Sequence, residues 1–203
     1  MIRLLSLLII LCTSMSVSAA EQKPTLLILG DSLSAGYQMK TEQSWPWLLP
    51  SELARLEKDV HVVNASVSGD TTGNGLSRLP QLLTQHAPDW VLIELGANDG
   101  LRGFNPNIIT NNLIQIIALS QQSDAQVLLM QIQVPPNYGK RYSQSFAQIY
   151  PIIAETYNIP LLPFFLEPII TRDDWIMADG LHPKPEAQPW IAHFMSEQLV
   201  THL

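Results

Sequence analysis

Short apolar runs bounded by turn residues alternate along the chain with longer stretches whose apolar residues fall on a helical period. The runs occupy residues 25–29, 60–63, 90–93, 126–130 and 160–164. Most are apolar at nearly every position, the pattern of strands buried on both faces of a parallel sheet. Pro160 and Pro163 lack the N–H that a central strand must donate, so the last run is expected at a sheet edge. Between the runs, Ile109, Leu113 and Ile116 share one helical face, as do Phe146, Tyr150, Ile153 and Tyr157, with Pro151 expected to kink or restart that second helix. A closing helix from about Pro185 places Ile191, Met195 and Leu199 on one stripe. This alternation predicts an α/β protein, a single three-layer α/β/α domain over residues 21–203 with a central, mostly parallel five-stranded sheet. No internal repeat or linker interrupts it.

The N-terminus stands apart from that pattern. Arg3 precedes an apolar run over residues 4–11 and then the small residues Val17, Ser18, Ala19 and Ala20, which reads as a secretory signal peptide over residues 1–20 with cleavage near Ala19–Ala20. The run is far shorter than the roughly 20 apolar residues of a membrane-spanning helix, so a periplasmic or secreted protein without stable membrane insertion is expected. Cys12, the only cysteine, leaves with the leader, and Leu11 before it does not suit a lipid-attachment signal. The remaining chain has no thiol, which excludes disulfides and thiolate metal sites and leaves stability to the core. A net charge of −7 with no basic cluster argues against nucleic acid as a partner.

Three polar strings follow apolar runs: Gly30-Asp31-Ser32-Leu33-Ser34, Gly96-Ala97-Asn98-Asp99 and Asp179-Gly180-Leu181-His182. Ligands of open α/β sheets collect outside the carboxyl ends of the strands, where the first two strings fall if their strands are neighbours. A serine is a weak nucleophile without an adjacent base. Of the five histidines, only His182 follows an acid by three residues in a glycine-containing loop, where Asp179 can reach one ring nitrogen and leave the other for Ser32. Asn98 offers an amide donor, and Gly69, in the segment after the second run, a backbone N–H, for the negative oxygen of a tetrahedral intermediate. Each residue also has a plainer reading: Ser32 as part of a helix cap, His182 as a loop histidine, Gly69 as a turn residue. Asp31, Asp70 and Asp99 are expected to brace loops or cap helices. A metal held by Asp31, Asp179 and His182 is the competing chemistry, although no close multi-histidine spacing supports it.

The same strings resemble the serine hydrolases called GDSL or SGNH. That family's signature Ser, Gly, Asn and His correspond to Ser32 in Gly-Asp-Ser-Leu, Gly69, Asn98 in Gly-x-Asn-Asp and His182 in Asp-x-x-His-Pro, and the likeness extends through most of the chain. Ala97 stands where the family often has a glycine. The resemblance implies a flavodoxin-like fold, Ser32 as nucleophile, Asp179 and His182 completing a triad, and an oxyanion hole from the Ser32 and Gly69 amides with the Asn98 side chain. The G-x-S-x-G elbow of the larger α/β-hydrolases is absent, so the serine is presented from a different turn. Leu101 and Phe104, in a glycine-flanked loop, and Tyr138, after the fourth run, are candidate substrate-contacting residues, and the first loop is a candidate lid. The function expected is hydrolysis of esters and thioesters with aliphatic acyl chains, lysophospholipids included, without a cofactor or a metal. The partner expected is the small-molecule substrate. An O-acetyl esterase of cell-wall or polysaccharide substrates and a non-catalytic lipid- or glycan-binding protein are the alternatives.

Overall fold

Leu26, Leu27, Ile28 and Leu29 are completely buried, which is what a run with no polar face requires of the strand it forms. That strand, β1 (Thr25–Gly30), lies in a five-stranded sheet of order β2-β1-β3-β4-β5 with β2 (His61–Asn64), β3 (Trp90–Glu94), β4 (Gln126–Met130) and β5 (Leu161–Leu162). Every pairing is parallel. The computed structural model describes residues 23–203, and the leader expected over residues 1–20 lies outside the described residues.

β1 and β3 are neighbours, with Gly30 opposite Glu94, so the turns that follow them open on the same rim. β5 is the edge strand its prolines require and is reduced to Leu161–Leu162. The other edge, β2, is only partly covered. Helices α1 (Ser32–Ala35), α2 (Trp45–Arg55), α3 (Thr72–His86), α4 (Ala97–Leu101), α5 (Pro106–Gln122), α6 (Lys140–Ala147), α7 (Ile149–Tyr157) and α8 (Gln188–Leu199) complete the layers. α2 packs on α8, while α3 packs on α5 and α5 on α7, giving the three-layer α/β/α arrangement. Pro151 sits in the first turn of α7, where its missing N–H costs nothing, so the helical stretch is broken at Gln148 and restarted. The closing segment begins with a 3₁₀ turn, Pro185–Ala187, before α8 buries Ile191, Met195 and Leu199.

Among the described residues no helix is long and apolar enough to cross a membrane. Burying a leucine or isoleucine side chain is worth about 1.5–3 kcal/mol, so the completely buried Leu26, Leu27, Ile28 and Leu29 of β1 with Val91, Leu92 and Ile93 of β3 anchor the two strands that carry Asp31-Ser32 and Asn98.

Candidate active site

Ser32 is the first residue of α1, and Asp31 is its N-cap, the carboxylate accepting from Leu33 N–H at 3.0 Å. The cap aligns a four-residue helix that could not hold itself, and so sets where the Ser32 hydroxyl points. His182 arrives from the opposite end of the chain. The loop that carries it is closed by an antiparallel bridge between Ile176 and Pro183 and by Met177 N–H donating to His182 O at 2.8 Å. Gly180 takes φ +70°, a left-handed conformation that a side chain would strain, and lets the loop turn inside that bridge. One oxygen of Asp179 accepts from Leu181 N–H at 2.9 Å and His182 N–H at 3.0 Å.

The result is a continuous hydrogen-bonded chain. His182 Nε2 lies 2.8 Å from Ser32 Oγ, and His182 Nδ1 lies 2.7 Å from Asp179 Oδ2. Burial pushes the Asp179 carboxyl up, but the Leu181 N–H, the imidazole and the His182 N–H together outweigh it and hold the group below the usual aspartate value. It is therefore ionised at neutral pH, as a partner for an Nδ1–H donor must be. Asp31, the third ligand of the competing metal reading, faces Leu33 and Asn98 instead of His182.

Asn98, in the first turn of α4, donates through Nδ2 to Asp31 Oδ2 at 3.0 Å and to Asp70 O at 2.9 Å, tying together the loops after β1, β2 and β3. Both of its amide hydrogens thus have acceptors in the free site, and an oxyanion would have to take one over. Gly69 adopts φ +86° next to that junction, with open space where a Cβ would stand, and its carbonyl accepts from Arg102 at 3.2 Å. Asp70 pairs with Arg78 at 2.7 Å, and Arg78 also donates to the carbonyls of Ala65 and Gly30. Asp99 accepts from the Thr72 N–H at 2.8 Å and the Thr72 hydroxyl at 2.6 Å. Asp31, Asp70 and Asp99 therefore all brace the rim.

A pocket of about 200 Å³ opens beside Ser32, Asn98 and His182. Its walls are mostly apolar: Leu101 from the β3 side, Val134 and Pro135 after β4, and Phe164, Leu166 and Ile170 after β5. Gln133 donates to Glu167 at 3.1 Å across the two outer loops that line it. Of the three expected substrate-loop residues, only Leu101 lines this pocket. Phe104 and Tyr138 are not among its lining residues; the Tyr138 hydroxyl donates to Leu101 O at 2.9 Å, and the Tyr142 hydroxyl donates to Phe104 O at 2.9 Å. These two bonds tie the glycine-flanked loop to the segment after β4. The segment after β5 adds a further apolar wall to the pocket.

Glu94 is a residue that pattern reading passed over. It ends a fully buried strand and is itself completely buried, accepting through Oε2 from the Ser34 hydroxyl at 2.7 Å and Asp31 N–H at 3.3 Å. The signal in the sequence is a lone acid closing an apolar strand just before the Gly96-Ala97-Asn98-Asp99 string. Burial, together with the charge of Asp31, pushes Glu94 well above the usual glutamate range despite the Ser34 and Asp31 hydrogen bonds. Burial likewise pushes Asp31 up to about 7, against the Leu33 and Asn98 hydrogen bonds and with help from Asp99 and Asp70. Groups whose folded pKa lies above the unfolded value hold their protons more tightly in the fold, so their contribution declines as pH rises from the ordinary carboxylate range through the folded values. Glu94→Gln keeps an acceptor for Ser34 without a titrating group. Urea denaturation between about pH 5 and pH 8 should give a shallower alkaline loss of stability for this variant than for the parent chain. Equal slopes would mean that Glu94 carries no proton in the folded state.

The chain's relatives place this geometry. Residues 28–188 match the model of the GDSL-like lipase/acylhydrolase family. An arylesterase from Vibrio mimicus is 63% identical over 203 residues, covering 100% of both chains. The thioesterase 1/protease 1/lysophospholipase L1 of Escherichia coli K12 is 51% identical over 180 residues, 89% of this chain and 85% of that one. The crystal structure of the psychrotrophic esterase EstA from Pseudoalteromonas, inhibited by monoethylphosphonate, superposes with a TM-score of 0.85 at 43% identity and covers 88% of this chain and 98% of its own. With a family match over residues 28–188, which include all three polar strings, this chain belongs to the GDSL-like lipase/acylhydrolase family of hydrolases.

Proposed function

We propose that the protein is a serine esterase that hydrolyses carboxylic esters and thioesters of aliphatic acids, lysophospholipids among them, through an acyl-Ser32 intermediate. The observation that carries this reading is the chain from Ser32 through His182 to Asp179 at the mouth of an apolar pocket. Relatives described as an arylesterase and as a thioesterase and lysophospholipase support the same chemistry.

In the first half-reaction Ser32 Oγ attacks the acyl carbon while its proton passes to His182 Nε2. The carbonyl oxygen becomes an oxyanion held by the Ser32 and Gly69 amides and by Asn98 Nδ2, the anion displacing the neutral Asp70 carbonyl from one amide hydrogen. Collapse breaks the bond to the alkoxide or thiolate, which leaves with the proton from Nε2. Water then gives a proton to Nε2 and adds to the acyl carbon, and the free acid departs as Ser32 regains its hydrogen. The leader of residues 1–20 would deliver this enzyme to the periplasm or the exterior.

The acyl group lies against Leu101, Val134, Phe164 and Ile170 in this reading. A graded series of esters from acetyl to octanoyl tests it. The octanoyl ester should be the better substrate, and Ile170→Trp, which fills the pocket, should lower the octanoyl-to-acetyl ratio of kcat/KM by about tenfold, since each methylene contact is worth about 1–3 kcal/mol. A parent enzyme that prefers acetyl esters would instead point to an O-acetyl esterase. Absence of turnover with every ester would point to a binding protein.

A further inference from the structure

Tyr37 has no part in the triad, yet its ring covers the imidazole of His182. The two ring centroids are 4.1 Å apart with 29° between planes. Local structure brings it there. α1 ends at Gly36, whose left-handed φ of +77° closes the helix and turns the next residue back over the site. The Tyr37 hydroxyl accepts from Gln38 at 3.0 Å, so its polar partner is its own neighbour and the imidazole meets the ring. Tyr37 is half-buried, and so is Ser32 on the far side of the imidazole's Nε2.

The ring centroids lie closer than the roughly 4.5–7 Å at which two neutral aromatic rings prefer to pack. A cationic ring over a tyrosine face is attracted. An imidazole that takes the Ser32 proton becomes cationic, so the stack strengthens as the transition state is reached, the condition for an effect on rate. Asp179, from the histidine's own loop, is the ionised group bonded to the imidazole; Ser32 and Tyr37 come from the segment after β1.

We propose that Tyr37 is a positioning residue that holds the His182 ring by its aromatic face and stabilises the imidazolium formed during acyl transfer. The proposal rests on Ser32 and His182 acting as nucleophile and base. The test compares the parent enzyme with Tyr37→Phe, Tyr37→Leu and Ser32→Ala on p-nitrophenyl butyrate, with each preparation normalised to the folded fraction by thermal melting. Tyr37→Leu removes the π face at similar bulk and should lower kcat about tenfold with KM within about twofold. Tyr37→Phe keeps the face and should stay within about twofold in both. The downfield Nδ1 proton resonance of the His182–Asp179 hydrogen bond should broaden in the leucine variant alone. Full kcat in Tyr37→Leu, equal losses in the two Tyr37 variants, or a loss confined to KM would each overturn the proposal. Activity retained in Ser32→Ala would remove the triad reading itself, so the two failures are separable.

Discussion

Replacing Ser32 by alanine is expected to lower kcat on p-nitrophenyl esters by on the order of 10⁶-fold, to the residual rate that oxyanion stabilisation and binding give without a nucleophile. The loss should come without unfolding. Ser32 is the first residue of α1, whose cap is the Asp31 carboxylate on Leu33 N–H, and alanine leaves that bond untouched. Among the described residues its hydroxyl has one side-chain hydrogen-bond partner, His182 at 2.8 Å. The melting temperature should therefore move by no more than about 2–4 °C. An ethyl p-nitrophenyl phosphonate offers a second readout: Ser32 Oγ bonds to phosphorus as p-nitrophenolate leaves, a probe suggested by the related Pseudoalteromonas esterase, which is inhibited by monoethylphosphonate. Intact-protein mass spectrometry should find one adduct on the parent chain and none on Ser32→Ala. An active alanine variant, or one labelled as readily as the parent, would remove Ser32 from the nucleophile's role and leave it as a helix residue beside a pocket.

Fold and site were legible to different depths. The strands could be read because each has a simple environment: β1 and β3 are buried on both faces, and their apolar runs say so directly. The order in which they lie could not, because nothing local states that β1 pairs with β3 in a register that sets Gly30 against Glu94. Helix α3 illustrates a stronger conflict. Gly73, Gly75 and Pro80 all argue against a helix, yet Thr71 and Asn74 form a capping box, and Gly75 lies where any Cβ would meet the Leu95 side chain. Packing against the sheet decides there against propensity. In the site, short-range grammar was enough to pair Asp179 with His182, three residues apart. Composition marked Phe104 and Tyr138 as apolar loop residues but was silent about the bonds by which the Tyr138 and Tyr142 hydroxyls hold that loop. Arg78, Glu94 and Tyr37 escaped notice for a related reason: each acts on a loop or ring distant in sequence, through contacts that only the assembled rim creates.

Asp179→Asn is expected to lower kcat by about 10³–10⁴-fold while leaving the loop folded. Asp179 does two jobs with two oxygens. Oδ1 accepts from the Leu181 and His182 amides at 2.9 and 3.0 Å, which shapes the loop, and Oδ2 meets His182 Nδ1 at 2.7 Å. Asparagine keeps its carbonyl for the amides, so the loop retains its hydrogen bonds and the bridge between Ile176 and Pro183 stays closed. The NH₂ then faces Nδ1 as a donor, which makes Nδ1 the acceptor and moves the ring hydrogen to Nε2. With hydrogen on Nε2 the imidazole donates to Ser32 Oγ and cannot take its proton, and no carboxylate remains to balance an imidazolium. A thousandfold loss corresponds to about 4 kcal/mol of transition-state stabilisation, more than a surface ion pair supplies, because the carboxylate fixes the tautomer as well as balancing the imidazolium. Asp179→Ala separates the two jobs: it frees the tautomer but removes the acceptor for Leu181 and His182 N–H, so its melting temperature should fall below that of the asparagine variant. If Asp179→Asn keeps kcat within about tenfold of the parent, the carboxylate only shapes the loop, and another group must orient the histidine.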